Sequence, residues 1–241
     1  LCVLGAALTS GYTAVFVVFA LGATLVARSS GLWTKRGLNV VLRLAAVACV
    51  TLGLMMLVLS PYRDLQVARP LPSAGSFSAA VQIYLSSATY VHFHTWAQGF
   101  YEQTSGSFFP GVVAIVLALV AFRGSRMGVS RAVLFSLVGI GIVGFVLSLG
   151  TVTPVYGWVY DIIPPFRSLR APNRFAILPF FSIAVLAGIG FARLRRHISA
   201  AWVVPVSVAV IVVATVEGLH GVQYRTFDWH PRIYQSLGAL E

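Results

Sequence analysis

Apolar residues fall in long, almost uninterrupted runs along this chain, separated by short clusters of polar and basic residues. A helix that crosses a lipid bilayer needs about 20 mostly apolar residues. By that measure the pattern predicts six spanning helices, near residues 1–27, 38–60, 108–122, 132–149, 175–192 and 200–216. The third run is the shortest of the six. The predicted fold is therefore all-α, a polytopic transmembrane helical bundle that occupies residues 1–216.

Composition supports this prediction and excludes the soluble alternatives. Of the 241 residues, 58% are hydrophobic and 10% are charged, and the mean hydropathy is +0.88. An average soluble domain carries about 25% charged residues. Since so few polar side chains cannot cover a globule of this size, most of the surface must face lipid. The two cysteines are too few for a disulfide scaffold.

The net charge of +11 is distributed unevenly between the two predicted sides of the membrane. Every charged residue in the loops after the first, third and fifth helices, and at the start of the second helix, is basic. These residues are Arg28, Lys35, Arg36, Arg43, Arg123, Arg126, Arg131, Arg193, Arg195 and Arg196. The other side holds all six acidic residues: Asp64, Glu102, Asp161, Glu217, Asp228 and Glu241. Short cytoplasmic loops collect Lys and Arg. We therefore expect a multi-pass membrane protein whose basic loops face the cytoplasm, and we interpret the basic excess as a topology signal rather than a nucleic-acid site.

This orientation leaves two larger loops on the extracytoplasmic side, Pro61 to Ser107 and Gly150 to Arg174. Residues 217–241 begin a further extracytoplasmic segment. The chain opens without an initiator Met and stops soon after that segment begins, so we expect an internal part of a longer protein. The cytoplasmic loops are short and purely basic, which places any functional site on the extracytoplasmic side.

Arg167, Arg170 and Arg174 surround the predicted start of the fifth helix. Pro172 suits the first helical turn, where its missing N–H is harmless. Cations at a helix N-terminus oppose the helix macrodipole, unless an anion binds there, and converging guanidinium groups at a helix N-terminus suit a phosphate. The alternative is that these arginines bind lipid headgroups or pair with Asp161.

Three further features of the large loops suggest chemistry. On an extended segment, His92 and His94 would point the same way, and with Glu102 they could complete the ligand set of a divalent metal. Histidines packed among aromatic side chains at the membrane interface show the same spacing. Glu102 and Asp161 are the candidate catalytic carboxylates. The alternatives are a solvated or arginine-paired Glu102 and an Asp161 paired with Arg167 or Arg170.

Two patterns in the fifth predicted helix concern packing. Ala184, Gly188 and Ala192 recur every four residues, and small residues at this spacing allow close contact between helices. Pro179 predicts a kink in the same helix.

The chain also resembles a known family in several stretches: Tyr160 to Phe175 with its Arg170-Ala171-Pro172-Asn173-Arg174-Phe175 motif, Ala184 to Gly190, Phe108-Phe109-Pro110-Gly111 with Glu102 upstream, and Pro231 to Leu237. These stretches resemble large bacterial membrane proteins of the YfhO-like and GT-C-type glycosyltransferase-like group. The Arg-Ala-Pro-x-Arg-Phe motif is the most specific of them.

The resemblance implies an enzyme that transfers a sugar from a polyprenyl-phosphate donor to an acceptor at the outer face of the membrane, with inversion. It implies a catalytic carboxylate in a loop that precedes Leu1, so no residue of this chain inherits that role. Binding of the carrier phosphate could pass to Arg167, Arg170 and Arg174. The expected partners are membrane lipid and the polyprenyl-phosphate-linked sugar, without nucleic acid. A transporter or flippase-like component and a non-catalytic membrane scaffold are the alternatives.

Overall fold

The structure is a computed structural model that describes residues 11–27, 35–59, 77–104, 106–123, 129–163, 166, 169 and 171–220. The helices along these ranges are α1 (Gly11–Ala27), α2 (Lys35–Leu59), α3, α4 (Val112–Val120), α5 (Arg131–Ser148), α6 (Pro154–Ile162), α7 (Ile177–His197) and α8 (Ala200–Glu217). Helix α3 consists of Tyr90–His92, a π-helical turn at Phe93–Ala97, and Gln98–Thr104. Short 3-10 turns lie at Val81–Tyr84, Gly150–Val152 and Pro172–Ala176. The regular structure of the described part is helical apart from a single isolated β-bridge, which confirms the all-α class.

Three helices of the described part are long and apolar enough to cross a membrane: Arg131–Ser148, Pro172–His197 and Ala200–Glu217. They coincide with the fourth, fifth and sixth predicted spans, and they support a membrane protein. The first and second predicted spans contain shorter apolar helical stretches, Val15–Leu25 and Gly37–Val47. The full count of six spans stays a prediction.

The third predicted span forms a much shorter helix than expected. Residues 108–111 are not helical, and α4 contains nine residues. At a rise of 1.5 Å per residue such a helix is about 13 Å long, well below the roughly 30 Å of a hydrocarbon core. The apolar run therefore overstates the helix, because a helix that packs against protein is as apolar as one that faces lipid.

Helix α5 lies between α1 and α7, and α7 in turn packs along α4. The main core lies where the loop after α5 folds back over these helices. Its buried members are Ile140, Leu147, Tyr156, Phe166, Leu169, Phe175 and Leu178. The rings of Phe166 and Phe175 stack with their centroids 5.4 Å apart, and Phe16 of α1 meets Phe175 edge-on at 5.0 Å. The loop that carries the predicted arginine site is thus anchored by its aromatic residues.

Two glycines let the helices of this core approach closely. A Cβ at Gly144 of α5 would overlap the side chain of Leu178, and a Cβ at Gly190 of α7 would overlap the carbonyl oxygen of Leu117 in α4. Replacement of either hydrogen by a methyl group therefore requires the helices to move apart.

The predicted close-contact face of α7 is wrong. Ala184, Gly188 and Ala192 are exposed, and no heavy atom lies within 4 Å of a Cβ added at Gly188. The buried stripe of α7 instead contains Ser182, Leu186, Gly190 and Arg193. Spacing identifies residues that share a face, but it cannot choose between faces when the exposed face of a membrane helix is apolar as well.

The prolines at the start of α7 mark its entry. Pro172 is buried and begins the 3-10 turn, as expected of a residue without an N–H at a helix start. Pro179 is the third residue of α7 itself. It therefore lies where the 3-10 turn passes into the α-helix rather than in the middle of a long helix, where it would break an established hydrogen-bond pattern.

The exposed Gly188 and the buried Gly190 of α7 make a matched pair for testing this packing. We expect Gly190→Ala to lower the free energy of unfolding by about 1–3 kcal/mol, because the added methyl group meets the backbone of α4. Gly188→Ala should leave it unchanged or raise it by up to about 1 kcal/mol, since alanine favours a helix. Unfolding in detergent monitored by circular dichroism measures both, and equal effects of the two substitutions would contradict the packing of α7 against α4.

Candidate functional site

A buried polar cluster links α3, α4 and α8 at one end of the bundle, which we call the Glu217 end. Its centre is the imidazole of His92, which is only 3% exposed. The Nε2 atom of His92 lies 3.0 Å from a carboxylate oxygen of Glu217, the last residue of α8. On the other side of the ring, Nδ1 lies 3.0 Å from the hydroxyl of Thr89 and 3.3 Å from that of Ser87. Both ring nitrogens of His92 are therefore occupied.

Aromatic rings enclose the His92 imidazole. Trp96, one helical turn further along α3, has its ring centroid 4.6 Å from that of His92, and Phe109 meets the imidazole edge-on at 4.9 Å. The backbone adds a direct connection to α8, because the N–H of Tyr90 donates to the carbonyl oxygen of Leu219 over 2.8 Å. The start of α3 is thus joined to the end of α8 by side chains and by backbone.

Glu217 also caps the N-terminus of α4. Its two carboxylate oxygens accept hydrogen bonds from the N–H of Val112 and, at 3.0 Å, from the N–H of Val113. The first N–H groups of a helix have no partner within the helix, and a negative charge there is favoured by the macrodipole. Gly111 precedes α4 with a φ of 97°, a conformation that L side chains rarely adopt. This turn directs the first N–H groups of α4 at the carboxylate.

The opposite terminus of α4 is capped by a cation. Arg193 of α7 is buried, and its Nη1 donates to the carbonyl oxygens of Ala121 and, at 3.0 Å, of Arg123. The last carbonyl groups of a helix are the counterpart of its first N–H groups, and a positive charge is favoured beside them. The sequence analysis placed Arg193, Arg195 and Arg196 in a loop. That prediction is wrong, since α7 continues to His197.

The segment before α3 is held on the end of α5. The N–H of Ala79 donates to the carbonyl oxygen of Ser148 over 2.9 Å, and the hydroxyls of Tyr84 and Ser148 are 2.6 Å apart. Burial raises the pKa of the Tyr84 phenol, and the hydrogen bond with Ser148 partly offsets this. The same effect acts in the loop after α5, where burial raises the pKa of Tyr156. Both phenols therefore stay protonated over the physiological range.

A hydroxyl, an imidazole and a carboxylate in sequence are the groups of a nucleophilic relay. In this cluster, however, Ser87 is only 1% exposed, and His92 is enclosed by the rings of Trp96 and Phe109. A reacting substrate atom has to approach both the nucleophile and the base, and this enclosure denies it access. The arrangement fits a structural junction, in which each polar group satisfies another, better than a catalytic centre.

The prediction of an extended segment that would bring His92 and His94 to one side is wrong. The segment is helical rather than extended, so the two rings do not share a side. His94 is exposed and packs against the rings of Tyr90 and Phe93, with centroids 5.0 Å and 5.4 Å away. Within the described ranges no group of three or more His, Cys, Asp or Glu residues could hold a metal ion.

The two candidate catalytic carboxylates are exposed. Glu102 of α3 accepts a hydrogen bond from Gln98 over 2.8 Å, which is the one-turn spacing of a helix-surface pair. Asp161 lies in the last turn of α6. The expected pairing of Asp161 with Arg167 or Arg170 falls outside the described residues.

Among the predicted phosphate ligands, Arg174 lies within the described part, whereas Arg167 and Arg170 lie outside it. Arg174 is exposed in the 3-10 turn before α7, with its guanidinium carbon 4.7 Å from the centre of the Tyr12 ring. The Tyr12 hydroxyl also accepts a hydrogen bond from the N–H of Ala171 over 2.6 Å. Helix α1 therefore supports both the turn and the arginine that the turn carries.

The sequence analysis missed the pairing of His92 with Glu217 and the caps on α4. Glu217 follows the sixth predicted helix, and the N–H groups that donate to its carboxylate lie more than 100 positions earlier in the chain. The spacing of Thr89 and His92, three residues apart at a helix start, was the available local signal. A hydroxyl at a helix N-cap can reach a side chain three residues later.

Comparisons with models of protein families, with curated proteins and with solved structures find no match to this chain. The fold and the composition therefore define the class of this protein, which is that of helical membrane proteins.

Removal of the Glu217 charge tests the junction. We expect Glu217→Gln to lower the free energy of unfolding by about 1–3 kcal/mol, because one oxygen acceptor is lost and the buried His92 then faces an amide. The control is Glu102→Gln, the same change on an exposed helix surface. It should shift the free energy of unfolding by no more than about 0.5 kcal/mol. If thermal unfolding in detergent shows the two variants to be alike, Glu217 does not hold the junction.

The raised pKa of Tyr84 leads to a second expectation. An unfolded tyrosine ionises near pH 10, whereas the folded phenol resists ionisation, so its contribution to stability is constant below pH 10 and is lost as the pH rises above it. We expect Tyr84→Phe to reduce the fall in unfolding free energy between pH 9 and pH 11. Tyr90→Phe, at an exposed ring, is the control, and a fall of the same size in both variants and the wild type would contradict the role of burial.

Proposed function

We propose that this chain is the membrane-embedded part of a GT-C-type glycosyltransferase that takes a sugar from a polyprenyl-phosphate donor at the outer face of the bacterial cytoplasmic membrane. The observation that carries the proposal is the placement of Arg174. Its guanidinium is exposed, lies over the Tyr12 ring and belongs to the turn that begins a span-length helix. The similarity of the surrounding Arg-Ala-Pro-x-Arg-Phe motif to that family is the second support.

The chemistry of Arg174 suits the phosphate of a lipid carrier. A guanidinium can donate two parallel hydrogen bonds to phosphate oxygens, and an aromatic ring beneath it limits its motion without consuming its charge. The turn forms the start of a helix that is apolar enough to cross the bilayer. A phosphate at that level would leave its attached hydrocarbon chain beside the apolar surface of the helices.

The neighbouring backbone does not contribute to this proposed phosphate site. The N–H of Asn173 donates to the carbonyl oxygen of Phe77 over 3.0 Å, and the N–H of Arg174 donates to that of Ala171 over 3.2 Å. The anion would therefore be held by guanidinium groups rather than by the free N–H groups of a helix start. Arg167 and Arg170 remain the proposed additional ligands in the same loop.

The proposal assigns carrier binding to this chain and leaves the catalytic base unassigned. Glu102 and Asp161 are exposed, which keeps both accessible as secondary candidates for acid or base. No step of the proposal requires a divalent metal. The reaction itself would attach the acceptor oxygen to the anomeric carbon while the carrier phosphate departs, and Arg174 would stabilise the charge on that leaving group.

The enclosed cluster around His92 favours a second candidate function, a non-catalytic membrane scaffold. In that case the buried junction at Glu217 would serve to hold the loops, and the arginines of the loop after α5 would anchor headgroups. A transporter or flippase-like component has less support. Arg193 is ionisable and lies within a span-length helix, but it caps α4 rather than facing a pathway.

Native mass spectrometry of the full-length protein with added polyprenyl phosphate tests the carrier site. We expect Arg174→Ala to weaken binding by about 10- to 100-fold, the equivalent of one lost charge-assisted hydrogen-bonding group. Arg174→Lys should give an intermediate loss, because a lysine keeps the charge without the bidentate geometry. Arg131→Ala, an exposed arginine at the other end of the bundle, is the control.

Equal retention of the lipid by the Arg174→Ala variant and the wild type would remove the observation on which the enzyme proposal rests, and would favour the scaffold. Transfer from a polyprenyl-phosphate sugar by the wild type in detergent, without two compartments, would separate the enzyme from a transporter.

A further inference from the structure

The end of the bundle opposite Glu217, formed by the C-termini of α4 and α7 and the N-termini of α5 and α8, carries a concentration of positive charge. We call it the Arg193 end. Arg123, Arg131, Arg195 and Arg196 are all exposed there. We propose that Arg123 and Arg196 form a binding site for the phosphate headgroup of an anionic phospholipid. This proposal is independent of the carrier site at Arg174.

Arg193 brings the two arginines of the site together. Its Nη1 donates to the carbonyl oxygen of Arg123 over 3.0 Å, which fixes the backbone of Arg123 against the last turns of α7. Arg196 follows Arg193 by three residues, so the two side chains are neighbours on the surface of α7. Arg193 is buried and caps α4, whereas Arg123 and Arg196 are exposed. The site therefore has an ordered base and two available guanidinium groups.

The Arg193 end lacks compensating negative charge within the described ranges. The acidic residues that the structure describes are Glu102, Asp161 and Glu217, and they belong to α3, to α6 and to the end of α8. All three elements lie at the Glu217 end. Arg123 and Arg196 carry like charges, and repulsion between like charges is relieved when an anion binds between them. A phosphate with paired oxygens matches the donor geometry of arginine.

The position of the site identifies the source of the phosphate. Helix α7 ends at His197 and α8 begins at Ala200, so only Ile198 and Ser199 join two helices that are each long enough to span the membrane. Arg196 consequently lies within one helical turn of the ends of two spans, and the backbone of Arg123 is held beside it by Arg193. That is the depth of lipid headgroups, and basic sites between helix ends bind anionic lipids there. An acidic protein partner would need to reach this depth, which makes it the less favoured occupant.

Arg195 supplies a matched control on the same helical turn. It lies two residues after Arg193, which places it on a different face of α7 from Arg196, and it is exposed in the same way. Arg195→Gln and Arg196→Gln therefore remove the same charge from adjacent positions. A diffuse electrostatic attraction would respond equally to both changes, whereas a specific site would respond only to Arg196→Gln.

The test is a native mass spectrometry titration of the full chain in detergent with phosphatidylglycerol, and with phosphatidylcholine as the lipid of zero net charge. We expect the wild type to prefer phosphatidylglycerol. Arg123→Gln and Arg196→Gln should each weaken phosphatidylglycerol binding about tenfold, and the double variant should lose less than the product of the two effects, because both residues hold one phosphate. Arg195→Gln should change binding less than twofold.

Three results would overturn the proposal. The first is equal loss of binding in the Arg195→Gln and Arg196→Gln variants. The second is full retention of phosphatidylglycerol by the double variant with unchanged thermal unfolding. The third is equal binding of phosphatidylglycerol and phosphatidylcholine by the wild type, which would show that the anionic headgroup is not recognised.

Discussion

The short helix α4 depends on two charged side chains from other helices. Its nine residues pack along α7, and each terminus meets a charged side chain from another helix. A helix end leaves backbone groups without partners, and at membrane depth there is no water to satisfy them. The Glu217 carboxylate accepts from the first N–H groups, and the Arg193 guanidinium donates to the last carbonyl oxygens. Each charge also matches the sign that the macrodipole favours at that terminus.

The rest of the described structure is arranged around these two caps. Glu217 holds His92, so that α3 and the segment before it are fixed over one end of the bundle. Arg193 fixes the backbone of Arg123 at the other end. The close approach of α7 to α4 at Gly190 brings Arg193 within reach of its acceptors. The charges of Glu217 and Arg193 therefore serve the architecture, whereas Arg174, Arg123 and Arg196 are exposed and are the residues for which we propose ligands.

The three span-length helices α5, α7 and α8 could be predicted from the sequence because each is a long apolar run. Pro172 correctly marked the 3-10 turn that leads into α7. The faces of the helices could not be predicted, since lipid and protein interior both select apolar residues. That is why Gly188 was preferred to Gly190. The junction of His92 with Glu217 depends on contacts between distant parts of the chain. Local spacing left a metal site open at His92 and His94 on the premise of an extended segment, but the segment is helical, with a π-helical turn at Phe93–Ala97.

Residue-resolved hydrogen exchange of the α4 amides tests the capping of α4 most directly, with the wild type compared with Glu217→Gln and Arg193→Gln. The account predicts that Glu217→Gln accelerates exchange at Val112 and Val113 while the last turn stays protected. Arg193→Gln should instead loosen the last turn, around Ala121, and spare the first. Uniform exchange along α4 in both variants, or unchanged protection at Val112 and Val113 without the Glu217 charge, would contradict it.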